Sequence, residues 1–151
     1  MKPIAAAVAL CLLATPAAAA ETAGLSFDAV LAPHLDAIKT RDLKAIERTL
    51  TGGDTLDLFL PNGTHLTTRK QFMDLHVDWF ADKAWSWSYH PVSRTVTDDL
   101  AVVTIRTRSE EKDAAGAVSA WSENWLTLTF QREPSGWALI HDQNTRIGKG
   151  P

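Results

Sequence analysis

The second half of the sequence consists of four strand-like segments that are separated only by short turns. They span residues 84–96, 100–112, 119–133 and 136–147. The turns at residues 113–116 and 133–136 are too short for the crossover helix that connects parallel neighbours. The four segments are therefore predicted to form an antiparallel meander, and this sheet restricts the possible folds more than any other feature of the chain.

Helical patterns precede this sheet. Apolar residues recur at intervals of three and four over residues 26–40, 42–50 and 68–83, which predicts three amphipathic helices. Residues 55–60 are predicted to form a strand that ends in a turn at residues 61–64. Helices followed by a large antiparallel sheet indicate an α+β architecture.

The first twenty residues have the layout of a secretory signal peptide. Lys2 precedes an apolar stretch of roughly a dozen residues, and Ala18 and Ala20 lie before the expected cleavage point. We therefore expect residues 21–151 to form one exported domain, periplasmic or secreted. The only cysteine, Cys11, lies in the signal peptide, so no disulfide is predicted. A net charge of −3 argues against nucleic-acid binding, and no later segment is apolar enough for a membrane span.

The last strand carries the most informative pattern of side chains. Alternate residues of a strand face the same side of its sheet, so one row is expected to contain Trp137, Leu139, His141, Gln143 and Thr145. This row changes from apolar to polar along the strand, which favours a pocket at its polar end. The residue after His141 is an aspartate, and it is expected to face the opposite side, toward solvent or a dimer partner.

Four parts of the sequence together resemble the SnoaL-like and ketosteroid isomerase-like branch of the nuclear transport factor 2-like superfamily. They read HLDAIKTRDLKAIERTL, GDTLDLFLPNG, FMDLHVDWF and WLTLTFQREPSGWALIHDQNT. The resemblance implies a cone, in which a strongly curved sheet wraps around the N-terminal helices and leaves a pocket at the open end. It also implies that the outer face of the sheet forms a homodimer. Members of the superfamily include isomerases, dehydratases, cyclases, binding modules and scaffolds, so the fold alone does not decide the function.

Several side chains are candidates for the pocket of such a cone. His141 is the leading candidate for an acid or base, since an imidazole titrates near neutral pH, and Asp57 is the alternative base. The predicted ligand contacts are His76, Trp79, Trp125, His141, Gln143 and Thr145. For each histidine a purely structural role is the alternative, and Asp57 also fits the outward position of a half-buried strand. No metal site or cofactor is predicted, because the chain lacks a phosphate-binding loop, a dinucleotide fingerprint and an H-E-x-x-H motif.

Three functions remain open from the sequence. The first is the binding of a small apolar or aromatic molecule in the cavity, which the six tryptophans of the chain would favour. The second is an acid–base isomerase, dehydratase or cyclase on the same scaffold. The third is a protein-interaction module whose cavity is filled by its own side chains. We favour small-molecule binding.

Overall fold

Three helices and six strands follow one another in the computed structural model, which describes residues 26–151. The helices are α1 (Asp28–Thr40), α2 (Leu43–Glu47) and α3 (Arg69–Ala81). The strands are β1 (Thr55–Phe59), β2 (His65–Thr68), β3 (Trp85–Val96), β4 (Leu100–Lys112), β5 (Val118–Glu133) and β6 (Gly136–Gly150). The signal peptide predicted for residues 1–20 lies outside the described residues. Within the described part of the chain, no helix combines the length and apolar content needed to cross a bilayer.

Side-chain caps explain where two of the helices begin. The Asp42 carboxylate accepts a hydrogen bond from the Ala45 N–H at 2.9 Å, directly before α2. The Thr68 hydroxyl accepts one from the Gln71 N–H at 3.2 Å, directly before α3. Each cap satisfies a backbone donor that has no partner within the helix. These helices therefore begin where the apolar spacing and the local side chains both favour it.

The six strands form one open, curved sheet with the order β2-β1-β6-β5-β4-β3. The meander predicted for the second half is confirmed, because β3, β4, β5 and β6 pair antiparallel with their sequence neighbours. Two features of the sheet were not predicted from the sequence. One is the existence of strand β2, and the other is the parallel pairing of β1 with β6. The α+β class with a curved sheet around the helices is confirmed.

The hydrophobic core lies between the helices and one face of the sheet. Leu58, Ile105 and Leu128, from three different strands, are all at most 1% exposed. Side chains from the helices complete this core, among them Ile46 and Phe72, which are fully buried. We call this side of the sheet the inner face and the opposite side the outer face. Any cavity between the sheet and α3 is therefore bounded by residues of the inner face.

A β-bulge interrupts the alternation of β6. Leu139 lies opposite Phe130 of β5, but His141 lies opposite Thr129, so Ile140 has no partner in the pairing. A bulge of this kind places one extra residue in one strand and reverses which residues face each side. Leu139 is fully buried on the inner face. Because of the bulge, the next inner position is occupied by Asp142 rather than by His141.

Candidate functional site

A cavity of about 550 Å³ lies between α3 and the inner face of the sheet. Much of its wall is apolar, with Leu58 from β1, Leu75 from α3 and Leu126 from β5. A volume of this size lies in the range of small-molecule sites in proteins. The lining residues Asp78 and Arg146 are exposed to solvent, so they mark the side on which the cavity opens.

Asp142 is the most unusual group in this wall. It lies between Leu58 of β1 and Leu128 of β5 in the strand register, and it is only 5% exposed. The Asn144 amide donates a hydrogen bond of 2.8 Å to one carboxylate oxygen. Among the described residues, no cationic side chain lies within ion-pair distance of Asp142.

The surroundings of Asp142 change its protonation. Burial raises the pKa of this carboxyl to about 7, because the charged form loses its hydration, and the hydrogen bond from Asn144 opposes the rise. At neutral pH the group is therefore divided between its acid form, which donates a hydrogen bond, and its carboxylate form, which accepts a proton. A buried carboxyl with this property on a cavity wall is a candidate for binding or catalysis.

His76 brings an imidazole to the same cavity from α3. Its Nδ1 lies 2.8 Å from the Phe72 carbonyl oxygen, and a carbonyl can only accept, so Nδ1 carries the hydrogen. Burial lowers the pKa of the imidazole to about 4, although the hydrogen bond to Phe72 acts in the opposite direction. His76 is therefore neutral at physiological pH, and its Nε2 is a hydrogen-bond acceptor.

Two further polar side chains line the cavity from the central strands. Asn124 of β5 is 8% exposed, and its side-chain oxygen has no hydrogen-bond partner among residues 26–151. Thr107 of β4 is 2% exposed, and its hydroxyl donates to the Asn124 backbone carbonyl at 3.4 Å. The Thr107 hydrogen is therefore engaged with the main chain. The Asn124 amide remains for a ligand or water.

Aromatic rings form another part of the wall. Trp79 from α3 and Trp87 from β3 both line the cavity. Trp79 stacks on Trp85 with ring centroids 4.6 Å apart, and Trp87 packs against Tyr89 at 5.3 Å. These contacts restrict the rings to defined positions. The cavity therefore combines fixed aromatic surfaces with a small number of buried polar groups, which is the usual composition of a ligand site.

A match to a known family accompanies this geometry. The family model of the SnoaL-like domain matches residues 28–144, which include all three helices and most of the sheet. The chain belongs to the SnoaL-like domain family. No curated protein matches this SnoaL-like chain by sequence.

Several solved structures of low sequence identity share the fold of the SnoaL-like chain. A ketosteroid isomerase-like protein from Erwinia carotovora atroseptica is 18% identical, with a TM-score of 0.65 over 80% of this chain and 93% of that chain. A proposed dehydratase of the NTF2-like family from Streptomyces avermitilis is 19% identical, with a TM-score of 0.67 over 89% and 99%. A proposed calcium/calmodulin-dependent protein kinase II association domain from Thiobacillus denitrificans is 14% identical, with a TM-score of 0.69 over 82% and 96%. At these identities the likeness concerns the fold, and the SnoaL-like family predicted from the sequence is confirmed by the family model.

The residues predicted for the pocket of this SnoaL-like domain divide between the two faces of the sheet. His76 and Trp79 line the cavity. The row expected to place His141, Gln143 and Thr145 in the pocket is wrong in its orientation, since the bulge at Ile140 turns these residues to the outer face. The cavity-lining residues of β6 are instead Asp142, Asn144 and Arg146. The expectation that Asp142 faces away from the pocket is corrected for the same reason.

Trp125 and Asp57 also belong to the outer face. Trp125 lies between two inward residues of β5, Asn124 and Leu126, and it is 37% exposed. Asp57 lies between the buried Leu56 and Leu58, and its carboxylate is 2.6 Å from Nε2 of His65 in β2. Asp57 thus takes the outward position that its alternation with leucines also allows.

Several of these residues form a cluster on the outer face of the sheet. Asp57 pairs with His65, whose ring stacks on Phe59 at 4.0 Å, and His141 lies 5.5 Å from Phe59. The structure therefore brings both predicted catalytic residues together, but on the side away from the cavity. Formation of a homodimer through the outer face stays a prediction.

The sequence pattern did not identify Asp142, Asn124 or Trp87 as cavity residues. Trp87 and Asn124 follow the strand alternation, but alternation alone does not say which side of the sheet the helices cover. Asp142 was missed for a different reason, because the bulge that precedes it in β6 reverses the alternation. The only local signal for that bulge is the uninterrupted apolar run 137–140, which breaks the alternation of apolar and polar residues immediately before His141.

Proposed function

We propose that this SnoaL-like domain binds a small, largely apolar molecule in the cavity, and that Asp142 binds the polar group of that molecule. The observation that carries this proposal is a buried carboxyl on the wall of an apolar cavity, for which the described residues provide no cationic partner. Burial of such a group reduces stability, and a ligand that hydrogen-bonds to it offsets part of that cost. The aromatic rings of Trp79 and Trp87 supply contact area for an apolar body.

Filling the cavity tests this proposal. Ser109 of β4 lines the cavity and is half-buried, so Ser109→Trp is expected to place an indole in the space of the ligand. The probe is N-phenyl-1-naphthylamine, an uncharged dye that fluoresces in apolar sites. The wild type is expected to bind it, and Ser109→Trp is expected to weaken binding by at least about tenfold, which corresponds to about 1.4 kcal/mol.

A matched variant controls for the added tryptophan. Ser88 of β3 is exposed and lies between the inward residues Trp87 and Tyr89, so Ser88→Trp adds the same side chain to the outer face. Its affinity for the dye is expected to equal that of the wild type. Equal binding by all three proteins would place the dye site elsewhere, and an absence of binding to the wild type would contradict the proposal itself.

Acid–base catalysis in the same cavity is a second candidate function. It is supported by the pKa of about 7 for Asp142 and by the neutral imidazole of His76 on the same wall. A general base operates best when its pKa lies near the working pH. In this mechanism the Asp142 carboxylate removes a proton beside a carbonyl group and returns it at another carbon.

Proton exchange on a simple ketone measures this activity. With 2-tetralone in deuterated buffer, the wild type is expected to accelerate deuterium incorporation beside the carbonyl, and the rate is expected to rise with pH to a plateau above about 7 because the base form is required. Asp142→Asn is expected to lower the catalysed rate by about a hundredfold or more. Asp57→Asn, which changes a carboxylate on the outer face, serves as the control. No acceleration over buffer would leave binding as the better-supported function.

A further inference from the structure

The buried wall of the cavity is rich in hydrogen-bond acceptors. Within the described part of the chain, the side-chain oxygen of Asn124 has no hydrogen-bond partner. Nε2 of His76 is an acceptor, because Nδ1 holds the hydrogen that binds the Phe72 carbonyl. One oxygen of Asp142 accepts from Asn144, and the carboxylate has further lone pairs to share. A molecule that satisfies these three acceptors must therefore bring hydrogen-bond donors.

The charges that line the cavity are predominantly negative. Among the described residues, the lining contains three carboxylates, Asp78, Asp82 and Asp142, and one cation, Arg146. Asp78 and Asp82 are exposed at the opening, whereas Asp142 is buried inside. His76 is neutral at physiological pH and does not offset them. A positive ligand thus meets carboxylates at the entrance and again at the buried wall.

The aromatic part of the wall favours the same kind of ligand. The faces of Trp79 and Trp87 carry partial negative charge, and the attraction of a cation to such a face is stronger when the cation is shielded from water. Both rings are held by neighbouring aromatic side chains. Aromatic faces and a buried carboxylate occur on one cavity wall and both favour a cation, and the neutral acceptors beside them favour a hydrogen-bond donor.

We propose that the cavity takes an apolar organic amine in its protonated form, and that the ammonium group binds Asp142. This inference rests on the function proposed above and names the class of ligand. An ammonium group offers three donors, which match the acceptors of Asp142, Asn124 and His76. Its charge compensates the buried carboxylate, and hydrogen bonds between charged groups are roughly twice as strong as neutral ones.

Other classes of ligand fit the wall less well. An alcohol of the same shape supplies one donor and leaves the carboxylate without a counter-charge. An organic acid would meet repulsion from Asp142 and, at the entrance, from Asp78 and Asp82, and of the lining residues that the structure describes only Arg146 would attract it. The order of affinity is therefore amine, then alcohol, then acid.

Three probes that share the same naphthyl group test this order of affinity. Calorimetric titration at pH 8 would give the dissociation constants of 1-naphthylmethylamine, 1-naphthylmethanol and 1-naphthylacetate for the wild-type protein. The amine is expected to bind at least about tenfold more tightly than the alcohol, and the acid most weakly. In Asp142→Asn, the affinities for amine and alcohol are expected to agree within about threefold, because the buried charge is gone. Asp57→Asn is the matched control and is expected to keep the preference of the wild type.

The possible outcomes separate this inference from the function on which it rests. Binding of the alcohol or the acid as tightly as the amine would overturn the inference and leave a small-molecule cavity in place. Failure of all three probes to bind would count against the cavity function itself. If Asp142→Asn does not fold, as judged from its thermal unfolding, the ranking of the three probes in the wild type still decides the matter.

Discussion

Replacement of Asp142 by asparagine is expected to raise the free energy of unfolding at pH 8 by an amount on the order of 4 kcal/mol. In the folded protein the pKa of this carboxyl is about 7, whereas its ordinary value is 3.8. Between these two values the folded state holds a proton that the unfolded state releases. The contribution of Asp142 to stability is therefore present below about pH 4 and is lost as the pH rises through 7. Asparagine does not titrate, so it avoids this loss.

Urea unfolding of both proteins at pH 4.5 and pH 8 would measure the effect. The difference between variant and wild type is the relevant quantity, because other groups also titrate in this range. Burial lowers the pKa of His34 to about 3 and that of His76 to about 4, and both histidines act in the opposite direction, since their contribution to stability falls as the pH drops below 6.5. These contributions are common to both proteins and cancel in the difference.

The control for this experiment is Asp78→Asn. Asp78 is an exposed carboxylate at the cavity opening, and its replacement is expected to change the free energy of unfolding by less than about 0.5 kcal/mol. A gap between Asp142→Asn and the wild type that is the same at both pH values would contradict the assignment of a raised pKa. It would also remove the main support for Asp142 as an acid or base.

The second large effect is expected for Phe72→Ala, which should lower the free energy of unfolding by about 3–5 kcal/mol. Phe72 is fully buried on the inward side of α3 and stacks on His76 with centroids 4.1 Å apart. Its removal leaves a void between helix and sheet and also frees the imidazole to move. We therefore expect the variant to lose affinity for N-phenyl-1-naphthylamine, even under conditions in which it is still folded.

A residue on the opposite side of the same helix provides the comparison. Val77 is 49% exposed, and Val77→Ala is expected to cost less than about 1 kcal/mol. Chemical denaturation of the two variants and the wild type, with ligand titration below the unfolding transition, would test both parts. A loss of less than 1 kcal/mol for Phe72→Ala would mean that the cavity wall can collapse around the missing ring.

The helices and strands of this fold were predicted from the sequence more accurately than the contacts between them. Residues 42–50 and 68–83 contain helices because their apolar spacing, a capping Asp42 and a capping Thr68 all act within a few residues. Strand β2 escaped prediction because His65–Thr68 is too short to show a pattern, and it exists through its pairing with β1. The parallel pairing of β1 with β6 joins distant parts of the chain, and no local signal specifies it.

The same distinction explains which part of the site was predicted. His76 and Trp79 were identified as candidates because helical periodicity over α3 places them on the apolar side, and they line the cavity. On β6, alternation was correct up to Leu139 and wrong from His141 onward. One unpaired residue caused that change, and its position depends on how the curved sheet meets β5. The position of the bulge is set by tertiary packing and not by the local sequence of β6. The row that carries Asp142 was therefore assigned to the wrong face.

The bulge at Ile140 also has a consequence for the evolution of this protein. Strand β6 carries two alternative polar rows, Asp142 with Asn144 and Arg146, and His141 with Gln143 and Thr145. Loss of the bulge without a change in chain length would exchange them, so that an imidazole would replace a carboxyl in the cavity. A relative with the same residues at the same aligned positions can therefore have a different chemistry. Within such a family, the inheritance of a function depends on the inheritance of strand pairing as well as of side chains.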